Sequence, residues 1–264
     1  SITDGSGKAA GSPANAVKVS FRDANLRYAG AGADSLSDIT FDVAPGETVG
    51  IIGGTGSGKS SLVNMIPRFY DASQGSVCID GVDVKDYTLD ELRHKVGVVP
   101  QKAVLFAGTI ADNIRWGKQD ATEAEIDEAL EIAQAKEFVD GKENGIYFKI
   151  TQGGKNLSGG QKQRLTIARA VVRKPEILIL DDSASALDFA TDAALRKAIR
   201  EKTKGMTVFL VSQRASTIMN SDKIIVMDDG QIAGIGTHRQ LLSNCEIYRE
   251  ICQSQLSEEE LSHE

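Results

Sequence analysis

The sequence predicts an α/β fold with a helical insertion, and three observations predict it. Apolar runs such as "TVGII" (48–52), "EILILD" (176–181) and "MTVFLVS" (206–212) have the length and β-branched content of buried strands and alternate with helical stretches. Asp80-Gly81 and Asp229-Gly230 each separate two strand-like runs, as a two-residue hairpin turn does. The block from about Pro100 to Arg173 is helical in texture and interrupts the strands.

Taken in order, residues 1–16, "SITDGSGKAAGSPANA", are small, polar and Gly-rich, and read as a linker or lead-in. From Val17, "VKVSFRDANLRY" alternates apolar and polar residues as a half-buried strand does. "DITFDVAPGETVGIIGG" supplies a strand, a Pro-Gly turn and a buried strand, with a helix expected over Ser60 to Tyr70. "GSVCIDGVDV" is a hairpin. "TEAEIDEALEIAQAKEFVDG" has a helical period, with Thr122 as N-cap, Glu125 placed for a capping box and Gly141 as a stop. "GGQKQRLTIARAVVRK" and "TDAALRKAIREK" are further helices, and "KIIVMDDGQIAGIG" is a second hairpin. The last helix is expected over "HRQLLSNCEIYREICQSQL", followed by an acidic tail at 257–264 that reads as a frayed end.

Bulk properties exclude several classes. The 264 residues are 41% hydrophobic and 25% charged, ordinary for a folded domain, and the net charge of −7 argues against nucleic-acid binding. No apolar run approaches the roughly 18 residues that span a bilayer. There is no signal peptide, and a chain that begins at Ser1 reads as an excised piece. Cys78, Cys245 and Cys252 share no metal-ligand spacing, which suits free thiols in a reducing, cytoplasmic compartment. His94, His238 and His263 are scattered and none reads as a metal ligand.

The stretch "GGTGSGKSS" carries the first chemistry. Gly53, Gly54, Thr55, Gly56, Ser57, Gly58, Lys59, Ser60 and Ser61 have the G-x-x-x-x-G-K-S spacing of a phosphate loop. Glycines let backbone N–H groups approach an anion closely, and the helix that follows adds positive charge at its N-terminus. Lys59 would reach the β- and γ-phosphates of a nucleotide, and the Ser60 hydroxyl would coordinate Mg²⁺. Asp181 ends the apolar strand "ILILD", where α/β sheets carry their ligand sites, and is a second candidate for the metal.

"LSGGQKQR" (157–164), Gln101 in "VVPQ" and "SALD" (185–188) then narrow the class. In order with the phosphate loop and Asp181, over about Val17 to Leu256, they resemble the nucleotide-binding domain of ATP-binding-cassette (ABC) transporters. "LRHKVGVVPQKAVLFAGTIADNI" looks most like the exporter branch. The resemblance implies a P-loop (RecA/F1-like) core with an antiparallel β-subdomain and an α-helical subdomain at about 102–172, all within an ABC domain at 17–256. It implies ATP and Mg²⁺ as ligands, with Tyr28 stacking on adenine and Gln101 touching Mg²⁺ or the attacking water. Two such domains would close head-to-tail, so Ser158, Gly159, Gly160 and Gln161 would serve a partner's ATP and Asp188 would lie in the loop crossing between sites. Transmembrane domains would be the other partner, and the location would be the cytoplasmic face of the membrane. Soluble non-transport relatives and a non-catalytic dimerisation module remain alternatives.

The chain departs from the family pattern twice. Active members carry Glu directly after the metal-binding Asp, where this chain has Asp182. They carry His at the end of a later strand, where it has Gln213. Asp retracts its carboxylate by one C–C bond, about 1.5 Å. Gln can donate to a phosphate oxygen but cannot take up a proton. The pair resembles the degenerate-site subunit of heterodimeric exporters. The implied reading is a slow site on this chain, an intact signature serving a non-identical partner, and Asp182, Gln213 and Gln101 as the residues nearest the chemistry.

Overall fold

The computed structural model describes residues 2–7 and 17–262. Of the lead-in expected over 1–16, residues 1 and 8–16 lie outside the described residues, as do 263 and 264 of the acidic tail. The chain forms two compact units, 1–96 with 207–264, and 97–206.

The first unit begins with β1 (Val19–Leu26), β2 (Leu36–Val43), β3 (Thr48–Gly53), α1 (Lys59–Asn64), β4 (Gln74–Ile79), β5 (Val82–Asp83) and α2 (Leu89–Lys95). The second holds β6 (Val96–Val99, less its first residue), β7 (Gly108–Thr109), α3 (Ile110–Arg115), α4 (Glu123–Ile132), α5 (Lys136–Asp140), β8 (Lys149–Ile150), α6 (Gly159–Val171), β9 (Ile177–Asp181) and α7 (Phe189–Lys202). The first unit resumes with β10 (Thr207–Val211), α8 (Ala215–Ile218), β11 (Lys223–Asp228), β12 (Gln231–Gly236), α9 (His238–Asn244), α10 (Glu246–Gln255) and α11 (Glu258–Ser262). Among the described residues no helix is long and apolar enough to cross a membrane.

In the first unit β2-β1-β4-β5 form an antiparallel sheet, with Val19 opposite Val43 on one side and Ile79 on the other. Phe21 and Phe41 face each other across β1 and β2 and stack at 4.6 Å. The alternation expected through β1 is interrupted by a register shift between Phe21 and Ala24, with Asp23 at φ 45, as a bulge requires. A second sheet places β3 between β11 and β10, both parallel to it, with β12 antiparallel at the edge. Val49, Ile51 and Ile52 of β3 are wholly buried, which is why that strand reads as a continuous apolar run. Both Asp-Gly hairpins form, and all four turn residues have positive φ (52 and 78, 45 and 74), as a type I′ turn demands.

In the second unit α3 and α4 pack on α6, α4 also meets α7, and β9 neighbours β6 in its sheet. Thr122 and Glu125 form the expected capping box, as do Thr109 with Asp112 and Ser158 with Gln161.

Three expected helices end differently. The run from Thr122 to Gly141 is two helices, because Gln134 stands at φ 58 and closes α4 with Ala135 N–H to Leu130 O (2.8 Å) and Gln134 N–H to Glu131 O (3.2 Å). This is a Schellman closure without the glycine that usually announces it. The helix expected to Tyr70 closes in the same way at Arg68, φ 61, whose guanidinium is paired with Asp71 at 2.7 Å. The last helix breaks at the extended, buried Cys245 into α9 and α10. In the acidic tail, Ser257 and Glu260 cap a short further turn, α11. Within the lead-in, Asp4 accepts from Leu89 N–H at 2.8 Å, satisfying a first-turn donor of α2.

Thr122→Ala removes one acceptor and one half of a reciprocal cap. We expect it to destabilise the second unit by about 1 kcal/mol, read as a lower urea midpoint at unchanged slope.

Candidate functional site

The phosphate-loop residues lie in the first unit, between the end of β3 and α1. Its four glycines stand in different surroundings. A Cβ on Gly53 would sit 2.3 Å from Met227 O, and one on Gly58, at φ 101, would sit 2.7 Å from Leu36 Cδ2. Those two are packing glycines. Around Gly54 and Gly56 a Cβ would meet nothing within 4 Å, and with Thr55 they form the exposed rim of the loop. The rim is an open backbone cradle, and Gly56 reaches it only through a positive φ of 76.

Lys59 is the charge beside this cradle. Its side chain is buried, and Nζ donates to Gly53 O and Gly54 O at 2.8 Å each. Ser57 is tied to the β11–β12 turn through Gly230 N–H to Ser57 O (3.0 Å), and its hydroxyl has no partner among the described residues. Ser60 is exposed beside the loop. Ser61 Oγ is hydrogen-bonded to Tyr28 OH, and Tyr70 holds the Tyr28 ring edge-on, with centroids 4.9 Å apart. Tyr28 is thus fixed close to the loop.

Gln213 follows β10, which runs parallel to β3 with Val211 opposite Ile51. Both strands therefore deliver their carboxyl ends to the same edge of the sheet, the usual place for a ligand in α/β folds. Ser212 N–H donates to Ile51 O at 3.1 Å and fixes that relation.

The remaining candidates lie in the second unit. Asp181 ends β9, and Asp182 follows at φ 50, a left-handed conformation that Asp tolerates better than most residues. Gln101 Nε2 donates to Asp182 Oδ2 at 3.1 Å, so the structure brings these two together. Two buried side chains fasten the segment before Gln101. Ser183 donates to Val99 O at 3.0 Å, and Gln163, on α6, donates to Pro100 O at 3.4 Å.

The "LSGGQ" turn opens α6. Ser158 Oγ accepts from Gln161 N–H and Gln161 Oε1 accepts from Ser158 N–H, both at 3.1 Å. The Ser158 hydroxyl proton remains available to donate outward. A Cβ on Gly160 would lie 3.2 Å from Ala186 O, so this turn packs on the "SALD" segment. Asp188 N-caps α7 through Thr191 N–H at 2.7 Å, and that backbone donor holds its carboxyl below the usual range.

Two features gave no signal in the sequence. Tyr70, which positions Tyr28, sits outside any motif. Phe106 and Trp116 form an exposed pair with centroids 4.8 Å apart, over a cavity of about 260 Å³ that Thr166, Arg169 and Arg173 also line. Asn113, almost wholly buried, holds the loop at Phe106 by bonding both its N–H and its carbonyl. Burial pushes the Arg169 guanidinium below its ordinary pKa.

A divalent ion here would not have a preformed protein cage, since no cluster of three or more His, Cys, Asp or Glu exists among the described residues. An oxygen-loving ion that takes most of its ligands from phosphate and water fits this donor set.

Comparison with known proteins gives the family. The profile described as "ABC transporter" matches residues 36–185. An uncharacterized ABC transporter ATP-binding protein of Mycobacterium bovis is 46% identical over 235 residues, 88% of this chain and 40% of that protein. A probable multidrug resistance ABC transporter ATP-binding/permease protein of Bacillus subtilis is 45% identical, over 87% of this chain and 39% of its own. An ATP-dependent lipid A-core flippase of Hahella chejuensis is 41% identical, over 91% and 41%. A solved bacterial Atm1-family ABC exporter with ATP bound superposes with a TM-score of 0.90 at 36% identity, over 97% of this chain and 45% of that one. The chain thus spans about 40% of the length of these curated relatives. With the loop, the signature turn and the Asp181 strand end all formed, the chain belongs to the ABC transporter family.

Proposed function

We propose that this chain is the ATP-binding domain of an ABC exporter, with a catalytic site of its own that is slow. The observation that carries this is the open cradle at Gly54 and Gly56 beside the buried Lys59 ammonium. A triphosphate entering the cradle receives backbone N–H donors, and Lys59 exchanges neutral carbonyl partners for anionic oxygen, a stronger pairing. Tyr28, held by Ser61 and Tyr70, offers its ring to adenine. Ser60 in the first unit, and separately Asp181 and Gln101 in the second, are the candidate residues for Mg²⁺, which would supply charge neutralisation to bound phosphate.

The chemistry is slowed at two residues. Asp182, bonded to Gln101, stands where active relatives place Glu, and its carboxylate falls short by about 1.5 Å. A displacement near 1 Å at a reacting group costs on the order of 100-fold in rate. Gln213 retains an N–H donor for phosphate without the proton chemistry of imidazole.

The complete signature turn supports a division of labour. Ser158, Gly159, Gly160 and Gln161 would complete the ATP site of a second, non-identical domain that carries Glu and His in the places of Asp182 and Gln213. Nucleotide held by this chain would act as a clamp, and the partner's site would turn over to reopen the dimer. The exposed Phe106–Trp116 pair, braced by Asn113, suits an apolar element of the transmembrane domains. This assembly works at the cytoplasmic face of the membrane, and no nucleic acid takes part.

Lys59→Ala is expected to weaken MgATP binding by about 100-fold through loss of charged hydrogen bonds, measured by titration calorimetry. Asp182→Glu with Gln213→His should raise turnover by about 100-fold in protein shown to dimerise with ATP; an unchanged rate there contradicts the slowed-site reading. Because residue 182 sits at φ 50, the longer side chain should also cost roughly 1 kcal/mol of stability, visible as a lower denaturation midpoint.

A further inference from the structure

Gln255 is the last residue of α10, and its side chain makes two hydrogen bonds to one turn some forty positions away. Nε2 donates to Gln213 O at 2.8 Å, and Oε1 accepts from Ala215 N–H at 2.7 Å. Ala215 opens α8, and its N-cap residue, Arg214, makes no side-chain cap. First-turn N–H groups need an acceptor from elsewhere, and here Gln255 supplies it.

Two other backbone donors of this turn have their own partners. Ser212 N–H donates to Ile51 O at 3.1 Å, and Arg214 N–H donates to Ser212 Oγ at 3.0 Å. Gln255 completes the set by engaging both sides of Arg214. An amide does this with a single planar group that donates and accepts at once, which neither a carboxylate nor an alkyl side chain can do. The base is firm, since Tyr248 and Cys252 of α10 are fully buried and Tyr248 OH is bonded to His238 Nδ1 at 2.6 Å.

We infer that Gln255 is a positioning residue for the reaction, holding the turn that presents residue 213 to the terminal phosphate. The role of residue 213 rests on the proposed function, whereas the clamp itself rests on the two hydrogen bonds.

The test uses Gln255→Ala and Gln255→Glu, each made in this chain as it stands and in the Asp182→Glu, Gln213→His background. Three quantities are read: ATP affinity, turnover, and hydrogen exchange at the Ala215 amide. Gln255→Ala should lower turnover about tenfold in both backgrounds, as displacement of a phosphate contact would. ATP affinity should change by less than about twofold, the mark of a contact that acts in the transition state. The Ala215 amide should exchange at least about tenfold faster. Gln255→Glu, which keeps an acceptor of the same length but loses the donor, should protect Ala215 yet still lower turnover. Faster exchange with unchanged turnover would reduce Gln255 to a helix cap and overturn the proposal. So would unchanged exchange. If the double substitution at 182 and 213 gains no activity, the slowed-site reading fails, while exchange and slow turnover in the unaltered background still decide the role of Gln255.

Discussion

The buried ammonium of Lys59 against the carbonyls of Gly53 and Gly54 is the contact on which the rest depends. A charge placed inside a fold is unfavourable unless polar partners surround it. Here two carbonyls at the end of β3 provide partners, which requires the loop to curl back over its own lysine. That curl goes with the positive φ values of Gly56 and Gly58, while Gly53 lies close to Met227 because the two are paired across β3 and β11. It also leaves Gly54 and Gly56 facing open space. The same contact that satisfies the lysine thus shapes the open backbone cradle in which the proposed function places phosphate.

Under the proposed function, the first unit is organised around that contact to hold phosphate rather than to move protons. Parallel pairing of β3 with β10 brings residue 213 to the sheet edge where the loop emerges. What it delivers there is an amide, not an imidazole. In the second unit, the peptide before Gln101 is fastened by Ser183 and Gln163, so the Gln101–Asp182 bond rests on a buried frame. The frame is well made while the carboxylate it presents is short. In the proposed slow site, firm framing of weak chemical groups would separate holding nucleotide from consuming it.

Much of this was legible in the sequence because the relevant bonds are local. A capping box such as Thr122 with Glu125 encodes its own hydrogen bonds three residues apart. Asp80-Gly81 and Asp229-Gly230 encode their turns by the φ values they tolerate. The phosphate loop is legible for the same reason, being one continuous stretch whose glycines have few other uses. Where the reading missed, either a residue other than glycine took a left-handed conformation or a non-local partner decided the outcome. Gln134 and Arg68 close helices in a conformation usually given to glycine, so α4 and α1 end earlier than periodicity suggests. Asp4 reaches Leu89 across a gap that no local pattern marks. Gln255 looks like any polar residue at a helix end until its partners at 213 and 215 are seen. Tyr70 and the Phe106–Trp116 pair belong to the same class, since ring geometry is set by tertiary packing.

The central claim is that this chain keeps the nucleotide it binds. The most direct measurement is the chemical identity of that nucleotide over time: protein and Mg[γ-³²P]ATP mixed in a single turnover, with dimerisation verified by light scattering in the same sample. The account predicts that label stays with the protein as intact ATP for many minutes. Rapid appearance of ADP and free phosphate, at the rate of a relative with Glu and His in those places, would contradict it.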